Sequence, residues 1–359
     1  LAENRLIASF LRPFFRKGKA ASFTVPGMVG DRSRILAIDT GNLADALFHI
    51  PLLRGIRTQY PGARIDFLVP EEHAPLVVPS GMARNCLVYQ PRQLKPWLPA
   101  FGALVRSVRK RGYDMAILMS LDPEPVLELV VLACGAALRF GPSHVHAFPA
   151  INFEVRAGGN GGYRGRRPSL AAPFFGLAPD ALESAWPLPV DRLRQMNQLV
   201  HFNKPRKDEW LVGVDPGLGK AGHGISLENL RFLVRQLSSQ TTCRILPLTD
   251  PDNQERMRRF EAQLGSSVPG LPRDTLLETV LLLAQCDLFV AGNSDLFHFA
   301  VAQGVPTLGI FTQRDGSEWE PAPRPTARVL RVTKGERVDI DTLMEAVETV
   351  VGARKRPRS

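Results

Sequence analysis

Cysteine is scarce in this 359-residue chain, and long hydrophobic runs are missing. The four cysteines, Cys86, Cys134, Cys243 and Cys286, lie far apart in apolar company and form no C-x-x-C pair. That argues against a disulfide framework and a clustered-cysteine metal site, and it suits a reduced, cytosolic interior. No stretch reaches the ~18 uninterrupted apolar residues that a membrane-spanning helix needs. Acidic residues are also short: 35 Asp and Glu stand against 45 Lys and Arg, which leaves a net charge of +10. Such an imbalance favours an anionic partner, whether a membrane surface, a phosphorylated substrate or nucleic acid. Nucleic acid is the weakest of these, because the basic residues are diffuse and no aromatic-basic module is visible.

What is present is the composition of a globular α/β protein long enough for two domains. Residues 1–22 carry Leu6, Ile7, Phe10, Leu11 and Phe14 on one helical face, with Arg5, Arg12, Arg16, Lys17 and Lys19 among and after them. A basic amphipathic segment of this kind suits peripheral contact with a membrane interface, although Pro13 interrupts it. From residue 34 a strand-helix rhythm sets in. Strands are expected at Arg34–Asp39, Arg64–Val69, Cys86–Tyr89, Asp114–Met119 and Ala137–Phe140, with helices at Leu43–Tyr60, Trp97–Arg111 and Pro125–Cys134. Alternation of this sort predicts an open parallel sheet covered by helices on both faces. The run 156–168 (RAGGNGGYRGRRP) has nothing to build a core with and reads as a flexible basic loop.

A second series follows. Strands are expected at Trp210–Asp215 and Arg244–Leu248, with Ser226 as the N-cap of a helix over Leu227–Leu237. Helices follow at Asp252–Leu264 and Thr275–Gln285, then a strand (Leu288–Ala291), a polar turn (Gly292–Asp295), a helix (Leu296–Gln303) and another strand (Thr307–Phe311). That grammar places a helix N-terminus at the carboxyl end of a parallel strand, where a phosphate or diphosphate is readily bound. A final helix over Asp341–Val351 reads as crossing back to the first domain, ahead of a basic tail. The domains then divide as a basic segment 1–22, an N-terminal domain 23–190, a C-terminal domain 191–340, and a helix with tail 341–359.

Several stretches in order resemble glycosyltransferase family 9, the ADP-heptose:lipopolysaccharide heptosyltransferase group. They are ILAIDTGNLADALFHIPLLRGIRTQYPGARIDFLV, RGYDMAILM, ALRFGP, VGVDPGLGKAGHGISLENLRFL and the hallmark-like DTLLETVLLLAQCDLFVAGNSDLFHFAVAQGVPTLGIF, followed by Trp319, Glu320 and Pro321. The resemblance implies a GT-B fold, α/β with two facing Rossmann-like domains built on parallel sheets. It also implies an inverting, metal-independent transfer from a nucleotide diphosphate sugar, ADP-linked, to a lipopolysaccharide-core-type or other glycan acceptor. No cofactor or metal ligand set is implied. Asp45 would be the catalytic base, with Asn42 and Arg164 on the acceptor side. Gly217, Lys220, His223, Asn293, Ser294, Asp295 and His298 would bind the donor, and Asp250, Asp252 or Glu255 would hold its ribose. The setting implied is the cytoplasm, with peripheral contact on the inner membrane.

The chain departs from the family pattern at Ala44 (usually Gly), His223 (usually Lys, with Lys220 nearby) and Asn293-Ser294-Asp295 (usually Asp-Ser/Thr-Gly). The alternative reading is therefore a degenerate member that keeps the fold for binding or scaffolding and transfers no sugar.

Overall fold

A computed structural model of the chain describes residues 29–155, 162–179, 182, 185–203, 209–217, 225–250, 253–264, 271–333 and 338–354. The amphipathic segment 1–22, Lys220, His223, Asp252 and the tail 355–359 lie outside the described residues. The chain divides into two compact units, Leu1–Ser184 and Ala185–Ser359.

The first unit is built on β1 (Arg34–Asp39), β2 (Arg64–Pro70), β3 (Asn85–Tyr89), β4 (Met115–Met119), β5 (Leu138–Pro142) and β6 (Phe153–Val155). They pair in parallel in the order β3-β2-β1-β4-β5-β6. Central strands buried on both faces must be apolar at consecutive positions, and Ile35, Leu36, Ala37 and Ile38 are fully buried. Helix α1 (Leu43–Gln59) follows β1, α2 (Pro99–Lys110) precedes β4, and α3 (Pro125–Ala133) follows it. Phe101, Val108, Leu127, Val130 and Val131 pack with Leu36, Ile38 and Leu118 in one core cluster.

The run 156–168 is not a wholly open loop. Its described part includes a 3-10 turn, Arg164–Arg166, followed by a longer one over Pro168–Phe175. Tyr163 meets Phe48 of α1 edge to face with centroids 5.6 Å apart. A Cβ on Gly165 would fall 2.5 Å from Tyr163 and 2.8 Å from Phe48, so this glycine permits close packing rather than flexibility. The composition hid an aromatic anchor.

The second unit contains α4 (Val190–Asn203), β7 (Trp210–Val214), α5 (Leu227–Gln240), β8 (Cys243–Pro247), α6 (Gln254–Leu264) and α7 (Leu276–Leu283). It continues with β9 (Leu288–Ala291), α8 (Asp295–Gln303), β10 (Thr307–Thr312), β11 (Ala327–Val332) and α9 (Ile340–Arg354). Its sheet is also parallel, in the order β11-β10-β9-β7-β8. The last helix was expected to cross back to the first domain. Instead Leu343, Ala346, Val347, Val350 and Val351 share a core with Val212, Leu288, Val290 and Leu308 of this sheet.

In both sheets the connections reverse direction at one point, between β1 and β4 in the first and between β7 and β9 in the second. Helices leaving the carboxyl ends of two strands diverge there and open a crevice where ligands of such sheets bind. Among the described residues no helix is long and apolar enough to cross a membrane.

Candidate functional site

The loop after β1 is fixed before any catalytic side chain is placed. Asp39, fully buried at the strand's end, accepts the Gly41 N–H through Oδ1 at 2.9 Å and bonds His73 Nδ1 through Oδ2 at 2.7 Å. Tyr89 donates its hydroxyl to the Asp39 carbonyl at 2.7 Å. Gly41 turns the chain with φ +89°, a left-handed conformation that favours glycine. Asn42 then caps α1, its Oδ1 accepting the Asp45 N–H at 3.0 Å.

Asp45 is thereby set in the first turn of α1 at the switch point, 3 % exposed, and its Oδ2 accepts the Leu121 N–H at 3.1 Å. Leu121 belongs to the loop after β4, so the carboxylate spans the crevice between the diverging connections. Two neighbours escaped the sequence reading. Glu124, beside α3, is pushed up to about 7 by burial, then by the negative charges of Asp45, Glu128 and Asp122. His49 lies one turn beyond Asp45, where Nδ1 bonds the Asp45 carbonyl at 2.7 Å. Burial lowers its pKa to about 4 against the opposing pull of that bond and of Asp39, so the ring is neutral at physiological pH. Arg164, expected on the acceptor side, pairs with Asp122 at 2.6 Å.

In the second unit the corresponding crevice holds the turns after β7 and β9. Ser294 caps α8, its hydroxyl accepting the Phe297 N–H at 3.3 Å, and Asp295 is the helix's first residue, where a carboxylate suits the helix dipole. Asn293 and His298 are buried and bonded to each other, Nε2 of the ring meeting Asn293 Oδ1 at 3.1 Å. Asn293 also donates to Asp315 at 3.1 Å, and Asp315 takes the Thr312 N–H at 2.7 Å. These side chains brace the turn from within. Trp319 lies over His298 with centroids 5.6 Å apart.

Gly217 follows β7, and its N–H is accepted by Asp215 Oδ1 at 2.8 Å. A Cβ there would meet Asp215 Oδ1 at 2.8 Å and Thr249 Oγ1 at 3.1 Å. Asp215 itself is buried and held up at about 6. Burial is the main cause and Asp250 adds to it, while the nearby Ser294 hydroxyl, the Gly217 N–H and the Thr249 hydroxyl oppose it. Ser294 of the β9 turn bears on the titration of Asp215 after β7 although the two are 79 positions apart, a relation that no local motif could reveal. Arg256, also unforeseen, donates to the carbonyls of Pro216 and Ile225 and so pins both ends of the glycine-rich loop. Of the ribose candidates, Asp250 sits just past β8 and is bonded by Asn253 Nδ2 at 2.8 Å, whereas Glu255 is occupied by Arg258 and Arg259. All four cysteines are free, and no group of three or more His, Cys, Asp or Glu that could hold a metal is assembled among the described residues.

Comparison with known proteins follows this geometry. Residues 227–344 match the sequence model of the family described as glycosyltransferase family 9 (heptosyltransferase). No curated protein matches the chain in sequence. Among solved structures it is similar to a glycosyl transferase family 9 protein from Veillonella parvula, with TM-score 0.68 and 14 % identity over 89 % of this chain and 97 % of that one. It is likewise similar to the E. coli ADP-heptose lps heptosyltransferase II, with TM-score 0.67 and 18 % identity over 90 % of this chain and 100 % of the other. An E. coli heptosyltransferase solved with ADP-2-deoxy-2-fluoro heptose gives TM-score 0.63 and 17 % identity over 88 % and 99 %. At such identities the structural likeness establishes the fold, which is α/β of the GT-B class. The family match itself is confined to residues 227–344, about a third of the chain.

Proposed function

We propose that this chain is a glycosyltransferase of the family 9 type that moves a heptose-like sugar from an ADP-type nucleotide diphosphate to a hydroxyl of a lipopolysaccharide-core-type or other glycan acceptor, with inversion and without a metal. The observation that carries the reading is the buried Asp45 carboxylate at the switch point of the first sheet, anchored through one oxygen by the Leu121 N–H. An anchored carboxylate at that position suits a general base, because its orientation is fixed before the substrate arrives. In the proposed step Asp45 takes the proton of the acceptor hydroxyl as its oxygen bonds to the anomeric carbon. The bond from that carbon to the diphosphate breaks on the opposite face, and the nucleotide diphosphate leaves with the electron pair.

Charge then grows on the leaving group, and the second domain supplies what offsets it. The α8 N-terminus carries a partial positive charge and N–H groups that lack intrahelical partners. Ser294 and Gly217 shape that end, Lys220 and His223 are the cations proposed to join it, and Asp250 is the proposed ribose partner. Asp295 brings a carboxylate to the same turn, so the donor site is expected to bind more weakly than one with glycine there. The basic pattern of residues 1–22 supports peripheral attachment to an anionic membrane, which is where a glycolipid acceptor would be met.

A second reading, binding without transfer, is favoured by the inward-turned Asn293–His298 pair, whose polar atoms are spent on the turn itself. Thermal unfolding with ADP or ADP-heptose tests the proposed reading. A ligand at about 100 times its Kd stabilises the native state by about 2.7 kcal/mol. A clear upward shift together with turnover supports transfer, a shift without turnover supports binding alone, and no shift with any nucleotide sugar removes the donor site.

A further inference from the structure

The crevice of the second unit holds one acid that the transfer scheme does not use. Asp215 directly follows β7 and is 2 % exposed. Its N–H donates to the Val290 carbonyl of β9 at 2.9 Å, and its Oδ1 accepts the Gly217 N–H at 2.8 Å. Its other oxygen, Oδ2, has no hydrogen-bond partner among the described residues, and neither has the buried hydroxyl of Thr249. A buried polar atom left over in this way calls for a ligand atom. Ser294, the cap of α8, is near enough to bear on Asp215, so this oxygen lies by a helix N-terminus that favours anions.

Two charges face Asp215 from neighbouring elements. Asp250, just past β8, is of like sign. Arg256 of α6 is of opposite sign, but its guanidinium donates to the carbonyls of Pro216 and Ile225 and makes no ion pair with Asp215. A buried acid with one hydrogen bond to its carboxylate and a like charge nearby gives up its charge easily. Burial accordingly pushes Asp215 up to about 6 from an ordinary 3.8. The charge state decides what Oδ2 offers a ligand. Ionised, it can only accept, and it repels a phosphate oxygen; protonated, it donates an O–H.

We infer that Asp215 is a donor-binding residue that acts in its neutral form, donating its Oδ2 proton in a hydrogen bond to a diphosphate oxygen, so that the nucleotide sugar and one proton bind together. The inference rests on reading this crevice as the donor site and deepens it. No covalent step is involved: the proton enters from solvent, stays on Asp215 and returns when the nucleotide leaves. The sign follows from the raised value, since the free protein holds this proton below about 6 and has lost it above. At pH 8 about one molecule in a hundred retains it, and apparent affinity scales with that fraction. Donor binding is therefore tightest below pH 6 and weakens by up to about tenfold per pH unit above it.

Calorimetric titration of the full chain with ADP-heptose between about pH 5.5 and pH 8 tests this. ADP-heptose is the better probe, because the terminal phosphate of ADP itself titrates near pH ~6. The parent protein should lose at least tenfold in affinity across the range. At about pH 7.5, in buffers of different ionisation enthalpy, it should take up close to one proton per nucleotide sugar bound. Asp215→Asn keeps an acceptor for the Gly217 N–H and offers an amide N–H in place of the acid's O–H. It should bind without pH dependence, and at pH 8 at least tenfold more tightly than the parent. His223→Gln should keep the parent's proton uptake, and if Asp215→Asn does not fold, that uptake in the parent and in His223→Gln decides alone. Binding by the parent with no pH dependence and no proton uptake overturns the inference and leaves the donor reading standing. A pH dependence that survives in Asp215→Asn, or disappears in His223→Gln, overturns it as well. Absence of binding at every pH removes the donor reading, and the inference with it.

Discussion

A methyl group added at Gly217 would press on Asp215, two residues before it, and on Thr249 just past β8, at 2.8 and 3.1 Å. Overpacking of this kind costs about 1–3 kcal/mol. Gly217→Ala is expected to lower stability by that order and to reduce the ADP shift, as read from urea unfolding and thermal scans. An unchanged ADP shift would detach this turn from the donor. Glu124 offers a pH test. Its folded pKa, about 7, lies above the ordinary value of 4.5, so the folded state holds a proton that the unfolded chain has lost between those values. Stability from this group is complete below about 4.5 and declines as pH rises through 7. Allowing for its partial exposure, Glu124→Gln should gain about 1–2 kcal/mol relative to the parent between pH 5 and pH 8. A constant difference across that range in urea titrations would contradict the assignment.

At the scale of elements, the central strands were legible because burial on both faces forces consecutive apolar residues. The runs of β1, β4 and β9 admit little else. Elements that bury little were not legible. Helix α4 buries Met196 and Val200 yet leaves Val190, Leu199 and Phe202 exposed, and edge strand β11 (ARVLRV) keeps most of its residues half-exposed. Both passed unnoticed. The same contrast holds for the candidate site. Asn42, Asp45, Gly217 and Ser294 became candidates through the family resemblance, and what the fold shows of them is local: Asn42 and Ser294 cap helices, Asp45 lies in the first turn of α1 and Gly217 follows β7. Asp215, Arg256 and His49 act through partners or pockets that only the folded chain brings together. Among these elements α8 carries the sharpest expectation. Ser294→Ala removes its cap and should cost about 1 kcal/mol. It should also diminish the ADP shift, whereas full retention of that shift would place the diphosphate elsewhere.

At the scale of the whole molecule, each domain is a parallel sheet with one reversal of connection, and each reversal coincides with a polar, partly buried constellation. The net charge of +10 fits both an anionic donor and an anionic acceptor surface. Removing residues 1–22 is expected to weaken partitioning onto anionic vesicles at low salt, with the difference vanishing at high salt as screening sets in. Unchanged partitioning in a sedimentation assay would discard that segment as an anchor.

All of this converges on proton transfer at Asp45, and the most direct measurement is ADP-heptose turnover by Asp45→Asn beside the parent protein, with the ADP shift recorded for both. The account predicts matching ADP shifts and a turnover lowered by roughly 10²–10⁴-fold, the usual worth of a general base. Equal turnover in the two proteins would contradict it.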